Sequence, residues 1–295
     1  MAAAEGLTGA VSAGDNILIA TGGGGSPWLP KGENDGPIGA AALARALALG
    51  VEARPIYLCE EHQVEPIVAS SHAAGLMVMD YETAQRRTQV AVVEVVPSDR
   101  VEAETKARRL LKKYQPQALI AIERLGPNEK GVVHSILGKA IEEAEADLSF
   151  LFNEARERGI FTLGIGDGGN EIGFGRITES VRQIQPYGRR CQCPCGAGMA
   201  TVVATDVLVV AAVSNWGAYG VEAMLAFLLQ KPELLHTPEL ERWMLEECIR
   251  AGGSDGAYAI PAYIVDGISG DVHQGLVRML GEIVANGLTS LDRAF

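Results

Sequence analysis

The sequence predicts a three-layer α/β fold: a mainly parallel sheet with helices on both faces. Short apolar runs alternate with helical patterns along nearly the whole chain, the order expected of strand–helix–strand units. Some of these runs, such as VAVVEVV at 90–96, are apolar almost without interruption, as strands covered on both faces must be. No repeat, low-complexity tract or Pro/Ser linker breaks the alternation, so residues 1–295 are expected to form one α/β domain.

NILIATG (16–22) reads as a buried strand, and GPIGAAALARALALGV (36–51) as an Ala/Leu helix ended by Gly50. RPIYLC is the next strand, residues 63–74 are helix-like, and MVMD is a short strand before the run at 90–96. From Asp99 to Tyr114 the positions Ala103, Ala107, Leu110, Leu111 and Tyr114 recur at helical spacing, with Lys106, Arg108, Arg109, Lys112 and Lys113 on a solvated surface. ALIAIER (118–124) is a strand, and Gly126 to Glu143 a glycine-interrupted loop with room for a short helix. ADLSFLFNEARERGI is helical, TLGIGDGGN runs from strand into glycine loop, and ITESVRQIQ is helix. DVLVVAAVSN (206–215) is the strongest strand pattern in the chain. It leads into WGAYGVEAMLAFLL, with Val221, Met224, Leu225, Leu228 and Leu229 on one face, and then into the helix PELERWMLEECIRAG. In the last helix, DVHQGLVRMLGEIVANGL, the stripe Val272, Leu276, Met279, Leu280 and Ile283 is expected to pack on the sheet or to form a dimer contact.

Composition excludes several classes. With 47% hydrophobic and 21% charged residues the chain is neither disordered nor fibrous. No apolar run approaches the roughly 20 residues of a spanning helix. The 25 basic and 37 acidic residues leave a net charge of −12, which repels phosphate backbones and anionic headgroups and argues against nucleic acid or a membrane as partner. The amino terminus lacks the features of a secretory signal or transit peptide, so the expected location is the cytoplasm. Five cysteines, three in CQCPC and two isolated at Cys59 and Cys248, suggest reduced thiols and no disulfide framework.

Ligands of parallel α/β sheets bind at the carboxyl ends of strands, and five segments there carry polar groups. In TGGGGSPWLPKGENDGPIGAA (21–41) Lys31 is followed by Gly32, and Pro27 stands where a third glycine is needed, so neither the P-loop nor the dinucleotide fingerprint is met and no nucleotide cofactor is expected. What remains is a set of bare backbone N–H groups around Gly23 and Gly24, ahead of a helix amino end that suits a small carboxylate. Glu33 and Asp35 either cap that helix or hold an ammonium group or metal ion. In IERLGPNEKGVVHS (122–135) Glu123, Arg124, Lys130 and His134 follow a strand; Arg124 suits a clamp on a carboxylate, and His134 is either structural or a proton carrier. LGIGDGGNEIGFG (163–175) surrounds Asp167, Asn170 and Glu171 with six glycines, an arrangement that brings main chain and carboxylates to a ligand together.

The remaining two segments are less determined. In CQCPCG (191–196), Cys191, Cys193 and Cys195 read as buried thiols lining a pocket, as metal ligands, or as a redox group. In an extended chain the outer two would lie roughly 13 Å apart, so metal binding needs a turn at Pro194 and Gly196. Ser214 and Asn215 stand at a strand–helix junction, as helix caps or as donors beside the other strand ends.

ENDGPIGAAAL, IERLGPNEKGVVHS, IGDGGNEIGFG and VSNWGAYG, in this order, resemble the D-glutamate cyclase-like carboxyl-terminal domain family over nearly the whole chain. Asn34 stands where relatives tend to have Thr in Glu-Thr-Asp-Gly-Pro. The resemblance implies a lyase reaction in which the α-amino group of D-glutamate attacks its own γ-carboxyl carbon and water leaves, giving 5-oxo-D-proline. A sensor or other non-catalytic binder of a small carboxylate, and a hydrolase or lyase acting on a related acid, are the competing readings. For cyclisation a base must unmask the amine, while an acid or a divalent cation, Mg or Mn, draws charge from the carboxylate. Asp167 and Glu171 are the candidate bases, and His134 the candidate donor to the departing oxygen. Asp167, Glu171 and Asp35 are candidate metal ligands. Arg124 and the first glycine loop, with Gly23, Gly24, Glu33, Asp35, Asn170, Ser214 and Asn215, are expected to bind the small amino acid.

Overall fold

β1 (Asn16–Thr21), β2 (Arg54–Cys59), β3 (Met77–Val78), β4 (Val90–Val95), β5 (Ala118–Ile122), β6 (Phe161–Gly166) and β7 (Val207–Val210) form one sheet in the order β3-β4-β2-β1-β5-β6-β7. Every pairing in it is parallel. The chain winds outward from β1 through β2 to β4, then returns to the other side of β1 as β5, so the switch of direction falls between β1 and β5. At such a point the loops leaving two neighbouring strands diverge and open a crevice at their carboxyl ends. The computed structural model describes residues 1–141 and 145–289, so the final residues of the loop expected to run to Glu143 lie outside the described part.

The helices are α1 (Ala2–Ala10), α2 (Pro37–Gly50), α3 (Val64–Ala73), α4 (Tyr81–Ala84), α5 (Arg100–Tyr114) and α6 (Ser149–Glu157), followed by α7 (Thr178–Ile184), α8 (Ser214–Leu228), α9 (Pro238–Arg250) and α10 (Gly270–Leu288). Alternation of side chains along each strand divides the core in two. Ile17, Ile19, Tyr57, Ile120 and Leu163 face α1, α2, α3 and α8, whereas Leu18, Ala20, Ile56, Leu58 and Leu119 face α5 and α6. α2 is apolar nearly all round because it is covered nearly all round, by the sheet, α3 and α8. Its Gly39 permits the close approach of α8: a Cβ there would lie 2.8 Å from Asn215 Oδ1.

Two expectations are corrected, and one helix was not anticipated. The strand pattern of 206–215 yields only the four-residue edge strand β7, half-buried with Val210 exposed, because the chain leaves the sheet at Ala211 to start α8. The last helix packs on α8 and α9, not on the sheet. It buries His273, Val277 and Val284, while Val272, Met279 and Ile283 of the expected stripe stay about half exposed or more. The amino-terminal helix α1, buried through Ala3, Ala4 and Leu7, has no strong apolar period to announce it. Among the described residues no helix is long and apolar enough to cross a membrane.

Candidate active site

All the parallel strands end on one rim, and a cavity of about 480 Å³ opens there. Four carboxylates line it: Glu33 from the loop after β1, Glu123 directly after β5, Asp167 directly after β6, and Asp266 from the carboxyl-terminal part of the chain. Glu33 is seated between two glycines. A Cβ at Gly23 would lie 2.3 Å from one of its oxygens, and a Cβ at Gly256 2.2 Å from the other, so neither position accepts a side chain without displacing the carboxylate.

Asp35 lies behind this wall, fully buried, with its oxygens accepting from the backbone N–H groups of Ser214 (2.8 Å), Asn215 (2.7 Å) and Gly36 (3.0 Å). It is a cap, but of α8 and not of the helix that follows it. Asn215 Oδ1 returns the arrangement to α2, accepting from Gly36 (2.9 Å) and Gly39 (2.7 Å). Glu123 holds the left-handed backbone conformation, φ +47°, uncommon for a residue with a Cβ. That bend turns its carboxylate inward, where it accepts a short hydrogen bond from the Ser214 hydroxyl.

Asp167 is positioned by Glu171. The fully buried Glu171 carboxylate accepts from the backbone N–H groups of Asp167 (2.9 Å), Gly168 (2.6 Å) and Gly169 (2.6 Å), closing the loop on itself. Residues 167–171 form a bend, and the Glu171 carboxylate, expected as a base or metal ligand, is spent on the backbone of its own loop. Asp35, Glu123 and Asp167 each place a carboxylate oxygen within 4.8 Å of the others.

Asp266 was not singled out from the sequence. It occupies the tip of a short hairpin of β8 (Ile264–Val265) and β9 (Ile268–Ser269), at φ +50°, and its carboxylate is a close neighbour of those of Asp35 and Asp167. Asp255 holds the hairpin in place, accepting from Tyr258 N (2.7 Å) and Gly267 N (2.8 Å). The available signals were two Asp-Gly pairs, 255–256 and 266–267, which read equally well as ordinary turns.

Burial, reinforced by neighbouring carboxylates, pushes Glu33, Asp35 and Glu123 well above the usual carboxylate range. The same two causes push Asp167 up to about 11. Among the described residues no Lys, Arg or His lines the cavity. A site so built either shares protons among its carboxyls or takes a cation, and Asp35, Glu123 and Asp167 offer the hard oxygen donors that Mg²⁺ or Mn²⁺ accepts.

Other expected residues have different partners. Arg124 has no exposed surface; it forms a two-pronged ion pair with Glu60 (2.8 and 2.5 Å) and donates to Ala146 O (2.7 Å). Burial works against the Glu60 carboxylate, but Arg124 outweighs it and holds it below its ordinary range. Arg124 thus braces the rim from below, and the carboxylate clamp expected of it is corrected. The Gly24 N–H is also engaged, by Glu145 at 2.7 Å, which leaves Gly24 a wall of the cavity and not an anion donor. Asn170 lines the cavity and donates to His134 O (2.8 Å). The His134 ring itself points elsewhere, with Nε2 3.2 Å from Cys193 Sγ and 3.6 Å from Cys195 Sγ. The proton-donor role expected of His134 is therefore corrected, since its ring faces thiols and not the carboxylates.

A family model described as D-glutamate cyclase-like, C-terminal, matches residues 2–281. The mitochondrial D-glutamate cyclase of Homo sapiens is 31% identical over 212 residues, which is 68% of this chain and 30% of that protein. The chain thus matches about a third of the length of this curated relative.

Proposed function

The chain belongs to the D-glutamate cyclase-like, C-terminal family, and from that premise we propose that its acidic cavity cyclises D-glutamate to 5-oxo-D-proline with loss of water, as a lyase. The observation that carries this reading is the convergence of Asp35, Glu123 and Asp167 on one point at the switch between β1 and β5.

The chemistry asks for what such a cluster supplies. Substrate enters as an ammonium ion with two carboxylates, and ring closure forms the N–C bond while the γ-carbon loses one oxygen as water. Two protons pass from nitrogen to that oxygen. Glu33 and Asp266 accept hydrogen bonds from the ammonium group, which replaces the missing positive charge of the cavity. Asp167, whose raised affinity for protons keeps it protonated in the empty cavity, gives a proton to the departing oxygen and recovers one from nitrogen. The walls fold the substrate so that nitrogen and γ-carbon meet, which supplies much of the acceleration. A divalent cation held by Asp35, Glu123 and Asp167 would add withdrawal of charge from the γ-carboxylate.

The test is a panel of D- and L-amino acids incubated with the full chain, with and without EDTA and added Mn²⁺, and analysed for 5-oxoproline by chiral chromatography. Product from D-glutamate that disappears in Asp167→Asn supports the reading. A folded wild-type protein that makes no cyclic product under any of these conditions overturns it, and binding without turnover would then mark a non-catalytic carboxylate-binding module.

A further inference from the structure

Cys191, Cys193, Cys195 and His134 take no part in the cyclisation proposed above, and together they make a second, separate constellation. Cys191 Sγ lies 3.4 Å from Cys193 Sγ and 3.3 Å from Cys195 Sγ, and His134 Nε2 lies 3.2 and 3.6 Å from the sulfurs of Cys193 and Cys195. All four ligand atoms fall within 4.8 Å of one another. We propose that these four side chains bind one structural Zn²⁺ ion.

Geometry carries the proposal. A tetrahedral zinc with Zn–S of about 2.3 Å and Zn–N of about 2.0 Å has edges of roughly 3.5–3.8 Å, so the four contacts named lie within about half an ångström of the edges the ion requires. The outer cysteines reach each other because the chain turns at Pro194–Cys195. Around the four, the protein is arranged as an outer shell for a metal. His134 Nδ1 lies 3.0 Å from Val132 O, a backbone acceptor that fixes the proton on Nδ1 and leaves the Nε2 lone pair facing the thiols. Asn128 Nδ2 lies 3.4 Å from Cys195 Sγ and donates to Gly198 O at 2.7 Å, tying the cysteine turn to the loop that carries His134.

The donor set selects the metal. Three thiolates and an imidazole are soft and borderline ligands that favour Zn²⁺ over Mg²⁺ or Mn²⁺, so this site is chemically distinct from the carboxylates of the cavity. Four protein ligands leave no open position, which makes the site structural. Its consequence is local order: His134 is followed at once by Ser135 and Ile136, both in the cavity wall, and its carbonyl receives Asn170 Nδ2. Zinc would pin the loop after β5 to the loop between α7 and β7 at the edge of the cavity.

Metal content is measurable whether or not the chain cyclises D-glutamate. The full chain, produced in medium holding zinc, iron, manganese and magnesium salts, is expected to carry about one zinc per chain by elemental mass spectrometry after exhaustive dialysis. Cys195→Ser and His134→Ala are expected to lose zinc affinity by at least tenfold, while the isolated Cys59→Ser retains full zinc. Should the ligand variants fail to fold, the wild-type chain still decides the matter. Stripped of metal and refilled with Co²⁺, it is expected to show an intense thiolate-to-cobalt charge-transfer band and the visible bands of a tetrahedral site. Zinc well below stoichiometry, iron in its place, an octahedral cobalt spectrum, or a disulfide among the three cysteines in the freshly purified chain would each overturn the proposal.

Discussion

Asp35 and Asn215 cap each other's helices. The Asp35 carboxylate receives the first backbone N–H groups of α8, and the Asn215 side-chain oxygen receives those of Gly36 and Gly39 at the start of α2. Each residue also supplies part of the other's setting, since Asn215 Nδ2 donates to Asn34 O (3.1 Å). The two helices that flank β1 and β5 on one face are thereby fixed in relative position at the rim where the carboxylates gather.

Asn215→Ala removes both bonds to buried N–H groups and should cost about 2 kcal/mol of stability. In urea unfolding it is expected to lower the midpoint without changing the slope. A variant as stable as wild type would show that the α2 cap contributes nothing.

Asp167→Asn should separate stability from function. Burial and neighbouring negative charges disfavour the ionised Asp167, so a neutral amide there should leave the melting temperature unchanged or raised. Turnover of D-glutamate should fall by roughly two to four orders of magnitude. Parallel melting and product assays decide the point, and near-normal turnover would remove Asp167 from the reaction.

Glu171→Gln should lower both quantities together. The amide keeps one acceptor oxygen for three N–H groups, and the loss of charge-assisted bonds should cost about 1.5–3 kcal/mol. The loop that carries Asp167 would loosen with it. Normal activity in a destabilised variant would show that the bend does not position Asp167.

Arg124→Ala leaves Glu60 charged and buried without a partner, a change expected to cost about 3–5 kcal/mol. If Arg124 bound substrate, Arg124→Lys would raise KM for D-glutamate. The expected outcome is a lower melting temperature with KM unchanged in the folded fraction.

Stability without added cation should decline as pH rises from about 4 to 9. Asp167 binds its proton more tightly in the folded chain than in the unfolded one, so the stability linked to it is fully present at low pH and is progressively lost above its unfolded pKa of about 3.9. His236 adds a second decline in the same direction. Burial opposes its charge, but Glu222 and Glu241 outweigh that and raise it to about 9, so its contribution, about 3 kcal/mol, is full below about pH 6.5 and lost as pH rises through 9. Mn²⁺ should raise the melting temperature more at pH 8.5 than at pH 5.5, because the cavity carboxylates bind it only when ionised. Thermal scans across this range check both statements, and a flat profile would contradict them.

The strands and most helices are legible in the sequence because their signal is local. Alternation and 3.6-residue spacing mark β1, β2, β4, β5 and β6, and the glycine-rich segments fall where the parallel strands end. The polar residues of the first, second and third segments, Glu33, Asp35, Glu123 and Asp167, do gather at one rim. What each of them does there was decided by contacts between segments far apart in the chain. Arg124 meets Glu60 across 64 positions, the Asp35 carboxylate meets Asn215 across 180, and Asp266 comes over the rim from the carboxyl-terminal hairpin. Backbone angles settle the rest: a positive φ aims the Glu123 side chain inward and sets Asp266 at the hairpin tip, while the bend after Gly166 lets Glu171 serve its own loop. A periodic pattern records which face of an element is buried, since burial repeats with the element's geometry. It does not record which of several carboxylates or cations will find a partner, because that depends on the distance left between loops once the whole sheet has assembled.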